Sequence, residues 1–352
     1  MKISKHSLLT RALLPLLTVL CATAFGAGGS YDGGQPTNPK DLKGKKIVLV
    51  DVPKLVGIGY FAATTKGMAE AAAELSKNNL PTEVKTDAPT EADIQKQIEY
   101  IDNAISRGVD GILFASNDPV AISPVLRKAL KGGIRVIGYD AESQPDAREW
   151  FVQQATPDGI AKALIDSMVA EVGKEADIAI VTSSLTAPNQ NAWIAEMKKY
   201  IAAQCPKLNI VTILPSEEDQ QQAFKVTGQI VKAYPNVKGI IGLSSVAFPG
   251  AADAITQANL IGKIAVTGLS TPNQMKPFVK SGCVKSVVLW NPVDLGYAAL
   301  YVMRAAVDGK LKPGDTEVEA GRLGKLSVIN GSQFLLGPPF IFNKDNIDKF
   351  DF

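Results

Sequence analysis

Three apolar, strand-like segments recur along this chain in the same order and at a nearly constant spacing. VDGILFAS from Val109 is echoed by VKGIIGLS from Val237, an offset of 128. IRVIGYD from Ile134 is echoed by IAVTGLS from Ile264, an offset of 130, and Ile47 to Val50 pair with Ile178 to Val181, an offset of 131. One such match between apolar strands is commonplace, but three in corresponding order indicate two units of one design. At 352 residues the chain also exceeds one ordinary core, so two units agree with its length.

Within each unit, β-branched runs alternate with segments of helical period. In the first, strands are expected over 47–50, 83–86, 109–115 and 135–139, and helices over 66–77, 91–107 and 119–131. The second repeats the order, with helices over 159–172, 193–203, 219–234 and 250–258 and strands over 178–182, 209–214, 239–243 and 264–269. This βαβα alternation predicts an α/β chain of two similar lobes, each a parallel sheet flanked by helices. A further strand over 284–290, a helix over 293–308, extended pieces near Val318 and over 326–329, and the apolar FLLGPPFIF complete the tail. Extra elements beyond two units are what a chain needs to pass between lobes. A three-segment hinge is expected, with crossings near 150–155, 290–292 and 312–323. The first lobe is then 44–150 plus about 292–318, and the second 151–291 plus about 319–352.

Both ends of the chain need separate treatment. Lys2, Lys5 and Arg11 precede an apolar run from Ala12 to Ala24 without an acid, followed by small residues, which is the grammar of a secretory signal peptide over 1–27. Cleavage is expected after Ala24 or Ala27. The run is too short for an ordinary membrane span, and bulky Leu20 argues against lipid attachment at Cys21. Residues 28–43, GGSYDGGQPTNPKDLK, carry the glycine, proline and polar composition of a disordered lead-in. Removing the signal takes the 37 basic residues to 34 against 35 acids, net −1, which argues against nucleic acid as a partner. It also removes His6, the single histidine, and with it histidine-based catalysis and histidine metal sites. Cys205 and Cys283 remain in a disulfide-permissive compartment, but their placement before separate strands favours two unpaired, partly buried thiols.

In parallel sheets, ligands bind outside the carboxyl ends of strands, which makes KIVLVDVPKLVGIGYFA from Lys46 the first candidate. Its Gly57-x-Gly59-x-x-Ala62 has the form of a dinucleotide loop. Four residues separate it from the strand, however, and Tyr60 and Phe61 would crowd a pyrophosphate. No P-loop, nucleophile elbow or telling carboxylate pair appears, so a binding protein without cofactor or metal is expected rather than an enzyme. Strand ends and crossings place Lys54, Tyr60, Phe61, Asn117 and Asp140 on one side, and Asn189, Gln190, Ser244, Ser245 and Ser270 on the other, with Trp290 and Asn291 at a crossing. Carboxylate, amides and hydroxyls take sugar hydroxyls, and aromatic faces cover the C–H side of a sugar ring.

These features together resemble the type I periplasmic substrate-binding proteins of ABC importers. More closely the chain is similar to the branch holding rhamnose-binding and autoinducer-2-binding proteins, through VPKLVGIGYF at Val52, LTAPNQNAW at Leu185, VVLWNPVDLGY at Val287 and the closing FIFNKDNIDKFDF. The resemblance implies a ligand held between lobes, hinge closure, a periplasmic location, and an inner-membrane permease, with a chemoreceptor as a further partner of a monomer. Lys54 and Asp140 match the autoinducer-2 branch. Asn189-Gln190 stands where that branch has Asp-Gln, and Leu243 and Ser245 where it has Pro and Ala. SEEDQQQAF at Ser216 and AGRLGKL at Ala320 look more like the rhamnose-binding proteins, so the expected ligand is L-rhamnose or a similar deoxyhexose, with autoinducer-2 as the alternative and a nicotinamide enzyme remote.

Overall fold

The chain alternates strand and helix through two sheets in a computed structural model that describes residues 30–352. The signal-peptide expectation, with His6 and Cys21, lies outside the described residues. The first unit runs β1 (Ile47–Val52), α1 (Gly59–Lys77), β2 (Thr82–Thr86), α2 (Ile94–Ser106), β3 (Gly111–Phe114), α3 (Ser123–Lys131), β4 (Arg135–Tyr139) and β5 (Trp150–Gln153). The second runs α4 (Pro157–Val172), β6 (Glu175–Thr182), α5 (Pro188–Gln204), β7 (Lys207–Pro215), α6 (Gln220–Ala233), β8 (Val237–Gly242), α7 (Ala247–Gln257), β9 (Ala265–Gly268), α8 (Pro272–Lys280) and β10 (Val287–Leu289). The tail adds α9 (Pro292–Val307), β11 (Glu317–Glu319), β12 (Lys325–Asn330), β13 (Gln333–Leu335) and β14 (Phe340–Phe342). Among the described residues no helix is long and apolar enough to cross a membrane.

The repeat seen in the letters reappears in the sheets. The first sheet is ordered β11-β12-β13-β5-β4-β3-β1-β2, and the second β7-β6-β8-β9, continued by an isolated parallel bridge from Leu269 to Val288 of β10. Read from β2 and from β7, both lobes place their second strand outside the first and then add the third and fourth, all in parallel. In that order the chain reverses direction beside the first strand, leaving a crevice at the carboxyl ends of β1 and β3 and of β6 and β8.

Helix starts explain where the elements break. Asp93, Thr156, Asp219 and Asn291 each accept backbone N–H groups at the start of α2, α4, α6 and α9. Proline at the first turn of α4, α5, α8 and α9 supplies a preset φ where no amide donor is needed. The contact that matters most for the cleft is between α1 and α9. A Cβ at Gly67 would lie 1.8 Å from the Val293 carbonyl oxygen, and one at Gly296 would lie 2.0 Å from that of Thr64. The two helices therefore meet backbone to backbone, and α9 fixes Trp290, two residues upstream of its start, against the first turn of α1.

The tail and the lead-in depart from expectation. β12 and β13 join the first sheet, with β13 parallel to β5 and β12 antiparallel to β13, so 325–335 extends the first lobe rather than the second. The third crossing consequently falls at 336–339, where Gly337, Pro338 and Pro339 break the chain before β14 pairs with β10. The first two crossings sit at 154–156 and 290–291, on either side of the second sheet's elements. Over its described residues, 30–43, the lead-in is packed, not disordered. Tyr31 stands edge-on to Trp150 at 5.0 Å and donates its hydroxyl to the Glu149 carbonyl at 2.8 Å, while Gly34 N donates to Arg148 O. One buried aromatic anchor outweighs the polar composition around it. Among the described residues Cys205 and Cys283 are buried and unpaired.

Candidate functional site

The ends of β1 and β3 are tied together by Gln97, a fully buried residue of α2. Its Nε2 donates to the carbonyls of Val52, Pro53 and Ala115, and its Oε1 accepts from Asn117 N and Nδ2. Asn117 Nδ2 also donates to Lys54 O at 2.9 Å. This lattice fixes the Lys54 backbone and leaves its buried ammonium facing the second lobe, where Nζ donates to Asn189 Oδ1 at 3.4 Å.

Asp140 follows β4 directly with φ at +60°. A residue with a Cβ is strained there by about 1–2 kcal/mol. Its Oδ1 accepts from Tyr60 OH at 2.9 Å, and that hydroxyl accepts from Trp290 Nε1 at 2.9 Å. The result is a relay from the crossing, through α1, to the end of β4. Among the described residues Asp140 Oδ2 makes no hydrogen bond. Burial pushes the Asp140 carboxyl above the usual carboxylate range, while Lys54 and the Tyr60 hydroxyl hold it down. Burial and the adjacent Asp140 raise Tyr60 well above an ordinary phenol.

The second lobe contributes amides, hydroxyls and one further acid. Gln190 Oε1 accepts from Thr182 Oγ1 and Ser183 N, so that oxygen is spent on holding the start of α5 to the end of β6. Ser244 Oγ accepts from Ala247 N at 3.0 Å and faces the Glu218 carboxyl. Glu218 lies in the turn between β7 and α6, where Asp219 N donates to Ser216 O and both Glu217 and Glu218 have φ of +52°. Positive φ at both central residues is the signature of a type I′ turn, which asparagine and glycine ordinarily fill. Burial pushes the Glu218 carboxyl up, with Lys54 and Ser244 opposing and Asp140 adding to the rise.

A cavity lies between these two walls. Nine of the twelve expected residues line it: Lys54, Tyr60, Phe61, Asp140, Asn189, Gln190, Ser244, Ser245 and Trp290. The other three are engaged beside it. Asn117 props the Lys54 loop, the single Ser270 hydroxyl proton is shared between Ser245 O and Gln274 Oε1, and Asn291 caps α9 through Val293 N. The remaining lining is Ile58, Trp193, Glu218, Leu243, Leu269 and Leu289. Trp193, on α5, stands T-shaped to Trp290 at 5.9 Å. Glu218 was missed because it lies past the end of β7 in a turn that carries no asparagine-glycine signal. Leu243 and Leu269 were signalled by the repeat, as the second-lobe counterparts of Ala115 and Tyr139.

The cavity is thus a two-sided slot. Its lining mixes carboxylate, ammonium, hydroxyl and amide groups with aromatic rings and aliphatic side chains. The only charged groups among its lining are Lys54, Asp140 and Glu218.

Comparison with known proteins points the same way. The profile of the periplasmic binding protein domain matches residues 50–311. The chain is 26% identical over 246 residues to the D-allose-binding periplasmic protein of Escherichia coli K12, covering 66% of this chain and 77% of that one. In structure it resembles an ABC transporter solute-binding protein of Clostridium phytofermentas solved with bound L-rhamnose, at a TM-score of 0.79 and 29% identity, covering 87% and 98% of the two chains. It also resembles LsrB of Clostridium saccharobutylicum solved with AI-2, at a TM-score of 0.81 and 26% identity, covering 87% and 100%.

Proposed function

The chain belongs to the periplasmic binding protein family, and from that premise we propose that its cleft takes L-rhamnose or a similar deoxyhexose. It is a sugar-binding component of an ABC importer, a substrate carrier rather than an enzyme. On this reading one sugar bridges the lobes, the three crossings bend, and the closed form, as a monomer, docks on an inner-membrane permease. A chemoreceptor is a second partner that the same closed surface suits.

The observation that carries the choice of sugar is the mixed lining of the slot. Asp140 Oδ2 is free to accept sugar hydroxyls, Lys54 is placed to donate, and Tyr60, Phe61, Trp193 and Trp290 offer ring faces and edges. Ile58, Leu243, Leu269 and Leu289 add aliphatic lining, which suits the methyl group that distinguishes a deoxyhexose from a hexose. The likeness to the rhamnose-bound solute-binding protein supports the same choice. A second reading, autoinducer-2, is favoured by Lys54, Asp140 and the likeness to LsrB.

A thermal-shift panel of L-rhamnose, D-fucose, D-allose, D-ribose, autoinducer-2 and NAD on the purified protein separates the readings. A ligand that binds only the folded state stabilises it by about 2.7 kcal/mol at a hundred times its Kd. L-Rhamnose is expected to raise Tm most. A shift with autoinducer-2 and none with deoxyhexoses would transfer the assignment to the second reading, and a shift with NAD alone would remove the sugar reading altogether.

A further inference from the structure

The lining holds two polar atoms that find no hydrogen-bond partner in the protein. Glu218 Oε2 and Trp193 Nε1 are both shut off from solvent and have no hydrogen-bond partner among the described residues. Both line the cleft, and both come from the second lobe. Buried acceptors and donors are almost always paired in folded proteins, so an orphan acceptor and an orphan donor on one cavity wall fit a ligand's hydroxyl proton and oxygen.

The backbone at Glu218 points to the same conclusion. A turn with positive φ at both central residues is ordinarily filled by asparagine and glycine, yet here it carries Glu217 and Glu218 at +52° each. Glu217 is exposed, whereas Glu218 lines the cleft. Strain of this kind persists where the surroundings hold it, and it gathers at ligand sites.

We infer that Glu218 is a specificity-determining residue of the cleft: it closes on the ligand from the lobe opposite Asp140, accepts a hydroxyl proton, and selects neutral, donor-rich sugars over carboxylated ones. Trp193 Nε1 donates to an oxygen of the same ligand. The charge arrangement gives the selection its sign. Two carboxyl groups, Asp140 and Glu218, share the single ammonium of Lys54, so a ligand bringing a third carboxylate meets repulsion with no cation left to answer it. This inference rests on the sugar reading of the cleft.

Isothermal titration with L-rhamnose, or with D-allose or D-ribose where the panel prefers one of these, tests it in the wild type and in E218Q, E217Q and E218G. E218Q is expected to weaken binding 10- to 100-fold with Tm nearly unchanged, and E217Q, in the same turn, to leave binding unchanged. E218G relieves the backbone strain, so it is expected to raise Tm while weakening binding at least as much as E218Q. D-Galacturonate is expected not to bind the wild type. Unchanged affinity in both E218Q and E218G would overturn the inference and leave the sugar reading standing, as would tight binding of D-galacturonate. Failure of the wild type to bind any of the three neutral sugars would sink both.

Discussion

Two aspartates of the first lobe, Asp51 and Asp140, are both buried and both hold a tyrosine hydroxyl at 2.9 Å, from Tyr139 and Tyr60 respectively. They differ in what meets the other oxygen. Asp51 lies within β1 on the same face as Ile47 and Leu49, the face that packs with α1, and its Oδ2 accepts from Thr86 Oγ1 at 3.0 Å. Asp140 lies one residue past β4, in a strained backbone state, and its second oxygen opens on the cleft. The same chemical unit therefore closes a core in one place and leaves a valence open in the other. A buried carboxyl is a sign of function only when its hydrogen bonding is incomplete.

Replacing each by alanine puts that distinction under the largest strain. Asp51→Ala leaves the Tyr139 hydroxyl buried without an acceptor and opens a small void, and should lower stability by about 2–4 kcal/mol while sugar affinity stays near wild type. Asp140→Ala should do the reverse, weakening binding by about 1–3 kcal/mol with a smaller loss of stability, because only one of its carboxylate oxygens holds a hydrogen bond within the protein. Denaturant melts and titration calorimetry on both variants decide the matter. If Asp51→Ala abolished binding in a fully folded protein, or Asp140→Ala left affinity intact, the contrast would collapse.

How far the sequence revealed these roles depends on where each partner lies. The two-lobed repeat was legible because strands covered on both faces read as apolar runs, and Asp140 was legible because a charge at the end of such a run has few structural explanations. Asp51 was passed over inside the strand IVLVDV, since its partners Tyr139 and Thr86 come from other elements. Glu218 was hidden for a related reason: its turn lacks the asparagine-glycine signal, so nothing local marks a reversal that aims a side chain into the cleft. β12 and β13 were expected in the second lobe but join the first sheet, because short strands declare their period but not their partner. The lead-in misled through composition, which carries no information about a single anchor such as Tyr31.

Acidity offers a second, smaller way to separate the two aspartates. Burial raises the Asp51 carboxyl from 3.8 to about 7, against the opposing hydrogen bonds from Tyr139 and Thr86. The native state then holds a proton that the unfolded chain releases near pH 4, so Asp51 favours folding at low pH and this advantage is lost as pH rises through about 7. Each unit of separation is worth about 1.4 kcal/mol, and Tm should fall by a few degrees between about pH 5 and pH 8. Asp140, Glu149 and Glu218 are raised by burial as well and add slopes of the same sign. The difference between wild type and Asp51→Asn isolates the Asp51 share, because the amide mimics the protonated acid, accepting from Tyr139 and donating to Thr86. Parallel Tm profiles for the two proteins would mean that Asp51 is ionised throughout.

The smallest expected effect is the most discriminating, since it removes one oxygen from each pair. Tyr139→Phe takes a donor from Asp51 inside the core, whereas Tyr60→Phe takes one from Asp140 and also strips Trp290 Nε1 of its acceptor. Each deletes hydrogen bonding worth about 1 kcal/mol. For Tyr139→Phe the loss should appear in the denaturation midpoint. For Tyr60→Phe it should appear mainly as a three- to tenfold weaker sugar affinity, because the relay from Trp290 is what orients the open Asp140 oxygen. Tyr60 also helps to hold the Asp140 carboxyl down. Without its hydroxyl Asp140 should protonate at higher pH, and binding should fall more steeply on acidification than in the wild type. Equal pH dependence of binding in the two proteins would show that Tyr60 serves Asp140 as packing alone.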